Sequence, residues 1–293
     1  MKIAGFSFIK NAVQNDYPIV EAITSILPIC DEFVIAVGES DDDTLELIKS
    51  INSPKIRIIE TVWDPNLKAG GKVFAQQTDI AYNAISSDVD WAFYIQGDEC
   101  IHEKYLTLIK EEMQANLDSP EIEGLLLKYK HFYGSYDFVA ESRRWYRREI
   151  RILKRLSGIK SYKDAQGFRI DSRKIKVKLI NAYVYHYGWV KPPKGINLKM
   201  NNFKQFYHYD SYIKEQELVP ENFDYGNADK LIHFDETAPQ VMISRIRRAN
   251  WKFTFDPSNL EIKKQLKKRL LQWIETRLGL RLFEYKNYKI VKK

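Results

Sequence analysis

The chain has 293 residues, 44% of them hydrophobic and 29% charged, a composition that excludes a disordered or fibrous protein and suffices for a large core. Its two cysteines, Cys30 and Cys100, support neither a disulfide framework nor a cysteine zinc site. The net charge of +7 belongs to the end of the chain: residues 260–293 hold eleven Lys and Arg against three Glu, which leaves −1 for all that precedes them and argues against nucleic acid as a partner.

Met1 to Phe6 runs straight into a strand-like segment without the apolar stretch of a signal peptide, and no apolar run reaches the roughly 18 residues that span a bilayer. A reducing, cytoplasmic location is therefore expected. Ile3 to Ile9 reads as the first strand, and Ile19, Ile23, Ile26 and Leu27 repeat at helical spacing before the buried-strand run Phe33 to Val37. A helix from about Thr44, a strand Ile56 to Ile59, a helix carrying Val73, Phe74, Gln77, Ile80, Ala81, Ala84 and Ile85, and a strand Trp91 to Ile95 follow. Strands alternating with helices predict an α/β domain with a mostly parallel, helix-covered sheet. Beyond Ile122 the strands Gly124 to Tyr129, Ile150 to Leu153 and Val177 to Tyr185 are separated by loops rich in aromatic and charged residues. From about Trp189 helical patterns dominate. The expected organisation is a domain over 1–190, with halves 1–100 and 101–190, and a helical C-terminal region over 191–293.

Tyr94-Ile95-Gln96-Gly97-Asp98-Glu99 is the strongest local feature. A hydrophobic strand ends in a small residue and two carboxylates, at the strand end where parallel sheets bind ligands. Two acids there can hold Mg²⁺ or Mn²⁺, which take oxygen ligands and complete their shells with water and substrate phosphates. The competing reading is that Asp98 and Glu99 cap a helix continuing through His102, Glu103 and Tyr105. Lys72 follows Ala69-Gly70-Gly71 at the start of a helix, where an anion would be favoured; the spacing is not that of a P-loop.

The order of Asp31 to Val37, Ser40-Asp41-Asp42-Asp43-Thr44, Ala75 to Ala81 and Asp90-Trp91 through Glu99 resembles the family 2 glycosyltransferases, which share the nucleotide-sugar-binding GT-A fold. The resemblance spans roughly residues 1 to 190. It implies transfer of a sugar from a nucleotide-sugar donor, by default a UDP-sugar, to a glycan or lipid-linked acceptor, with inversion, in cell-surface polysaccharide or lipopolysaccharide synthesis. It further implies a divalent metal held by Asp98, with His186 of Tyr185-His186-Tyr187-Gly188-Trp189 as a second ligand. Gln96 stands where the family has a first Asp, and can still hydrogen-bond a ribose hydroxyl. Val37 and Gly38 stand where family members have acids, so Glu39 and Ser40 are the expected substitutes in donor binding, together with Phe8, Lys72, Gln76 and Gln96. The base of an inverting transfer is expected between Asp98 and His186, and Asp164 is the first candidate ahead of Glu141 and Asp137. The departures at Gln96 and Gly38 also admit a weakened relative that binds nucleotide or glycan without turnover.

In the tail, Asp256-Pro257-Ser258-Asn259-Leu260-Glu261 holds two overlapping helix-start signals. Ile262, Leu266, Leu270, Trp273, Ile274 and Leu278 then form one apolar stripe flanked by Lys263, Lys264, Lys267 and Lys268, with Gly279 as C-cap. Such a helix can dock its stripe on the catalytic domain, or lie on an anionic membrane surface. Residues 284–293 are expected to be dispensable for the chemistry.

Overall fold

In the computed structural model, which describes residues 1–67, 69–192, 195–197, 199, 230–253 and 266–291, alternation along β1 (Ile3–Ile9) decides how the layers are built. Ile3 and Ile9 face one core, with residues of α1 (Ile19–Ile26), and Ala4 and Phe6 face a second. β2 (Glu32–Gly38) pairs parallel with β1 on one side and β3 (Ile56–Thr61) extends it; β4 (Trp91–Tyr94) pairs parallel on the other. α2 (Thr44–Lys49) packs with α1 in the first core, and α3 (Lys72–Asn83) covers the opposite face through Ala81 and Tyr82. This is the parallel, helix-covered α/β sheet expected from the sequence. β1, β2 and β4 are buried on both faces, which is why each reads as an unbroken apolar run, whereas β3, at the end of the strand order, exposes Arg57 and Glu60.

The sheet turns antiparallel beyond β4. After β5 (Glu99–Ile101) and α4 (Leu106–Ala115) come β6 (Gly124–Tyr133), β7 (Phe138–Ala140) and β8 (Arg148–Lys154), and β8 lies antiparallel between β4 and β6. β9 (Ile159–Tyr162), β10 (Gly167–Ile170) and β11 (Arg173–Lys174) form a small separate sheet. β12 (Lys176–Trp189) runs parallel to β6, longer than the expected Val177 to Tyr185, and also pairs antiparallel with β5. Asp98 and Glu99 do not cap a helix, because Glu99 opens strand β5 and the next α-helix begins at Leu106.

Among the described residues of the C-terminal region, helices and strands both occur. Helices Ile243–Arg248 and Leu266–Leu278 are present, but β13 (Leu231–His233) joins β7 and β14 (Lys289–Ile290) joins β12 in the main sheet. No break in the sheet therefore falls at residue 190. The helix-start signals at 256–261, with Ile262, Lys263 and Lys264, lie outside the described residues. Within the expected docking stripe, Leu270, Trp273 and Leu278 are 58, 57 and 61% exposed, so these side chains do not face the core.

The tail is nevertheless sewn to the body. Arg143 donates to Glu275 at 2.7 Å, Arg147 holds Glu284 through two hydrogen bonds, and Arg281 donates to the carbonyls of Arg143 and Trp145. Asn287 and Tyr288 are buried. Removing 284–293 would take β14 from the edge of β12 and Glu284 from Arg147, next to Trp145 and Tyr146.

Candidate active site

Because β1, β2 and β4 run parallel, their carboxyl ends emerge on one edge, and a cleft of about 980 Å³ opens there. Phe8, Gln96, Asp98, Asp164 and His186, drawn from four separate stretches of sequence, all line it.

Asp98 sits in the turn between β4 and β5, held by Tyr187 N, which donates to its carbonyl at 2.8 Å. On the neighbouring strand, His186 Nε2 is 3.6 Å from Asp98 Oδ2, and Lys199 Nζ approaches the same oxygen at 3.4 Å while donating to Gly188 O at 2.7 Å. The three groups converge on the space that Gly188 leaves open: a Cβ there would come within 3.0 Å of Asp98 Oδ2, His186 Nε2 and Lys199 Nζ. Burial raises the Asp98 carboxyl, but the charges of His186 and Lys199 outweigh it and hold the group well below its ordinary value.

His131 fixes which nitrogen His186 presents. His131 Nε2 lies 2.7 Å from the Tyr146 carbonyl, which only accepts, so Nε2 carries the hydrogen. Burial and the adjacent His186 push His131 well below the usual imidazole range, so its Nδ1 is bare and accepts from His186 Nδ1 at 3.2 Å. His186 Nε2 is then the ring nitrogen that faces Asp98.

Among the described residues no group of three or more His, Cys, Asp and Glu could enclose a metal. The space at Gly188 is bordered by one carboxylate oxygen, one imidazole nitrogen and the Lys199 ammonium; the first two would give an ion two protein ligands, with water and donor phosphates to complete its shell, as Mg²⁺ and Mn²⁺ accept. Glu99 is not available to it. Its Oε1 accepts from Tyr129 Oη and Arg151 Nη2, and its Oε2 from Arg151 Nε and Gln96 N, all within 3.1 Å in a fully buried cluster. The second acid of the motif is thus a structural brace that ties the Gln96–Asp98 turn to β8.

Asp164 lies at the tip of the hairpin between β9 and β10, flanked by Lys163 and Ala165 at positive φ (58° and 61°). The hairpin tip reaches the end of β4, where Gln96 Nε2 donates to Ala165 O at 3.3 Å. The alternative acids lie elsewhere: Glu141 pairs with Lys230 at 2.7 Å, Asp137 accepts from Ser135 Oγ, and neither lines the cleft.

Four expected donor contacts fall outside the cleft. Glu39 and Ser40 line a separate depression, and Ser40 Oγ is spent locally, accepting from Asn11 N and donating to Gly38 O. Lys72 is exposed on the first turn of α3 and Gln76 is half-buried on the same helix; neither lines the cleft. The wall at this end is aromatic instead: Phe8, Trp63 and Phe74 pack with ring centroids 5.6–6.1 Å apart, and Lys10 Nζ sits 5.7 Å over Trp63. Gly38 makes that possible, since a Cβ there would collide with the Trp63 indole.

Sequence reasoning missed His131, Trp63, Arg151, Lys191 and Lys199. Lys191 is buried and donates to Asp16 O at 2.8 Å, and burial together with Lys199 pushes its ammonium down to about 7. The available signal was three lysines, Lys191, Lys194 and Lys199, within a short Pro- and Gly-bearing stretch after the histidine strand; nothing in it indicated that Lys199 turns back to Asp98.

No protein-family model and no curated protein matches the chain. Solved structures with a similar fold include S. aureus TarS at 14% identity, covering 69% of this chain and 39% of that one with a TM-score of 0.40. The chain therefore matches well under half of TarS. Similar too are 4-diphosphocytidyl-2C-methyl-D-erythritol synthase from Anaerococcus prevotii (14% identity, 65% and 89% of the two chains, TM-score 0.37) and glucosyl-3-phosphoglycerate synthase from Mycobacterium tuberculosis with Mn²⁺, UDP and phosphoglyceric acid (20%, 45% and 43%, 0.29).

Proposed function

We propose that the protein is an inverting glycosyltransferase of the GT-A type that moves a sugar from a nucleoside diphosphate sugar to a hydroxyl of a glycan or lipid-linked acceptor, in cell-surface polysaccharide or lipopolysaccharide synthesis. The observation that carries this reading is the convergence of Asp98, His186 and Lys199 on the Gly188 space, at the ligand-binding edge of a parallel sheet and in the cleft that Asp164 also lines. Asp98 and His186 would hold Mg²⁺ or Mn²⁺. Such an ion would supply positive charge to offset that of the donor diphosphate and of the departing nucleoside diphosphate. The aromatic wall of Phe8, Trp63 and Phe74 supplies flat apolar surface for the nucleoside, and Gln96 a hydrogen-bonding group beside it. Asp164, carried on a hairpin apart from the Gly188 space, takes the proton from the acceptor hydroxyl as that oxygen attacks the anomeric carbon.

A panel of nucleotide-sugars with Mn²⁺ tests the proposal, UDP-sugars first because UDP or UDP-GlcNAc occupies the solved complexes of TarS and the phosphoglycerate enzyme. Transfer or slow hydrolysis is expected. Binding without any turnover would favour a binding protein, the reading that Gln96 admits. With an acceptor in hand, Asp164→Asn is expected to lower transfer by about 10² to 10⁴ while donor affinity holds, the usual worth of general-base assistance. A collapse of donor affinity would move Asp164 to the donor site.

No helix among the described residues is long and apolar enough to cross a membrane. Peripheral contact at the cytoplasmic face of a membrane is proposed instead through the tail, where Leu270, Trp273, Leu278, Leu280, Leu282, Phe283 and Tyr285 are exposed within residues 260–293, the segment with a surplus of eight basic charges. Phe283 stands at φ 59° and 88% exposed, a strained backbone that no interior packing of its ring explains. Basic residues near an anionic surface add roughly 1 kcal/mol each, reduced by salt. Sedimentation with phosphatidylglycerol vesicles at low salt is expected to capture the intact protein and to lose the Trp273→Ser/Phe283→Ser variant. Failure of the intact protein to sediment would refute lipid contact.

A further inference from the structure

Of the three side chains that meet at the Gly188 space, Lys199 is the one that a metal site does not need. Its ammonium is buried, 2.7 Å from Gly188 O and 3.4 Å from Asp98 Oδ2, and it lies 5.6 Å over the ring of Tyr17 and 5.4 Å over that of Trp189. A Cβ on Gly188 would meet this nitrogen as closely as it meets His186 Nε2. A divalent ion entering the space would therefore bring two positive charges against a third in a confined site, which Coulomb repulsion opposes. A donor diphosphate arriving with the ion brings two or more negative charges to the same spot and supplies the ammonium with a new partner.

We infer that Lys199 is a diphosphate-binding residue that serves as the counter-ion of Asp98 in the donor-free protein and transfers its ammonium to the donor's phosphates when a divalent ion takes the Asp98 carboxylate. The inference rests on Asp98 as the metal-holding residue of the proposed function. It makes metal and donor binding mutually dependent: the ion alone competes with Lys199, whereas ion and diphosphate together satisfy Asp98, His186 and Lys199 at once. Lys191, which donates to the Asn15 and Asp16 carbonyls, also acts electrostatically on Asp98.

The two-ligand balance gives variants of Lys199 effects of opposite sign, which a purely structural lysine would not. Mn²⁺ alone, titrated calorimetrically into Lys199→Met, is expected to bind about tenfold more tightly than to wild type, at the lower end of the one to three pK units that a charge within about 4–6 Å exerts on an ionised neighbour. UDP titrated at saturating Mn²⁺ is expected to bind the same variant about tenfold more weakly, the loss of one charge-assisted hydrogen bond. Lys199→Arg, which keeps the cation, should leave Mn²⁺ affinity at the wild-type value. Lys199→Gln, with a thermal melt beside each titration, stands in if the Met variant does not fold. Unchanged or weaker Mn²⁺ binding in folded Lys199→Met and Lys199→Gln overturns the inference. Asp98→Asn separates the two failures: if it abolishes Mn²⁺ binding while the Lys199 variants gain none, only the role of Lys199 falls; if it leaves Mn²⁺ binding intact, the metal assignment of Asp98 falls with it.

Discussion

Asp98→Asn is expected to abolish transfer and to cost metal-supported donor binding about two orders of magnitude or more, since a neutral carboxamide cannot offset a divalent ion and the charge stabilisation at stake is several kcal/mol. The fold should survive. Asp98 is held by its backbone carbonyl through Tyr187 N, and Glu99, one residue on, carries the buried cluster that fixes the turn. The amide retains the shape of the acid, its oxygen can still accept from the buried Lys199 ammonium, and that ammonium keeps its bond to Gly188 O. A melting temperature within a few degrees of wild type, together with lost donor affinity, is the expected pair of results. Wild-type donor affinity in the presence of Mn²⁺ would remove Asp98 from the site.

Arg151→Met is expected to act on the fold. The Arg151 guanidinium and the Glu99 carboxylate are both buried and joined by two hydrogen bonds of 2.8 and 2.9 Å, and Arg151 also lies 5.2 Å over Tyr94 and 5.4 Å over Tyr129. Methionine matches much of the stem but leaves Glu99 as an uncompensated buried charge, a change that costs about 3–5 kcal/mol in comparable pairs. The corresponding fall in melting temperature is on the order of 10 °C for a chain of this size. Adding Glu99→Gln should recover a substantial part of the loss, because the double variant has no unpaired charge, although Tyr129 Oη and Gln96 N must share the new amide. A single variant within about 1 kcal/mol of wild type in urea would show that the pair does not brace the turn.

The contrast between these two neighbours shows what could be read in the sequence. β1, β2 and β4 were legible because each is buried on both faces and so appears as a continuous apolar run; the acid-bearing turn after β4 was legible because it follows such a run. Asp98, Asp164 and His186 line one cleft as their order suggested. Glu99 could not be told from Asp98 by type or position, because its role is set by Arg151, 52 residues later and on a strand whose pairing to β4 is antiparallel. Glu39 and Ser40 were plausible by analogy of position, yet Gly38 admits the Trp63 indole and turns that corner of the cleft aromatic. The tail's apolar period predicted a helix correctly, and the structure has one at Leu266–Leu278. Periodicity says which residues share a face but not whether a partner covers it, so the exposure of Trp273 could not be read from spacing.

The central claim, a donor site completed by a divalent ion on Asp98 and His186, is tested most directly by titrating UDP or a UDP-sugar that the panel identifies into the wild-type protein with Mn²⁺ and again with excess chelator. Saturable binding with Mn²⁺ that falls by about tenfold or more when the ion is removed is expected, in keeping with the loss of an ion that offsets the diphosphate charge. Equal affinity in chelator would contradict it, and would mean that the lysines and His186 alone hold the diphosphate.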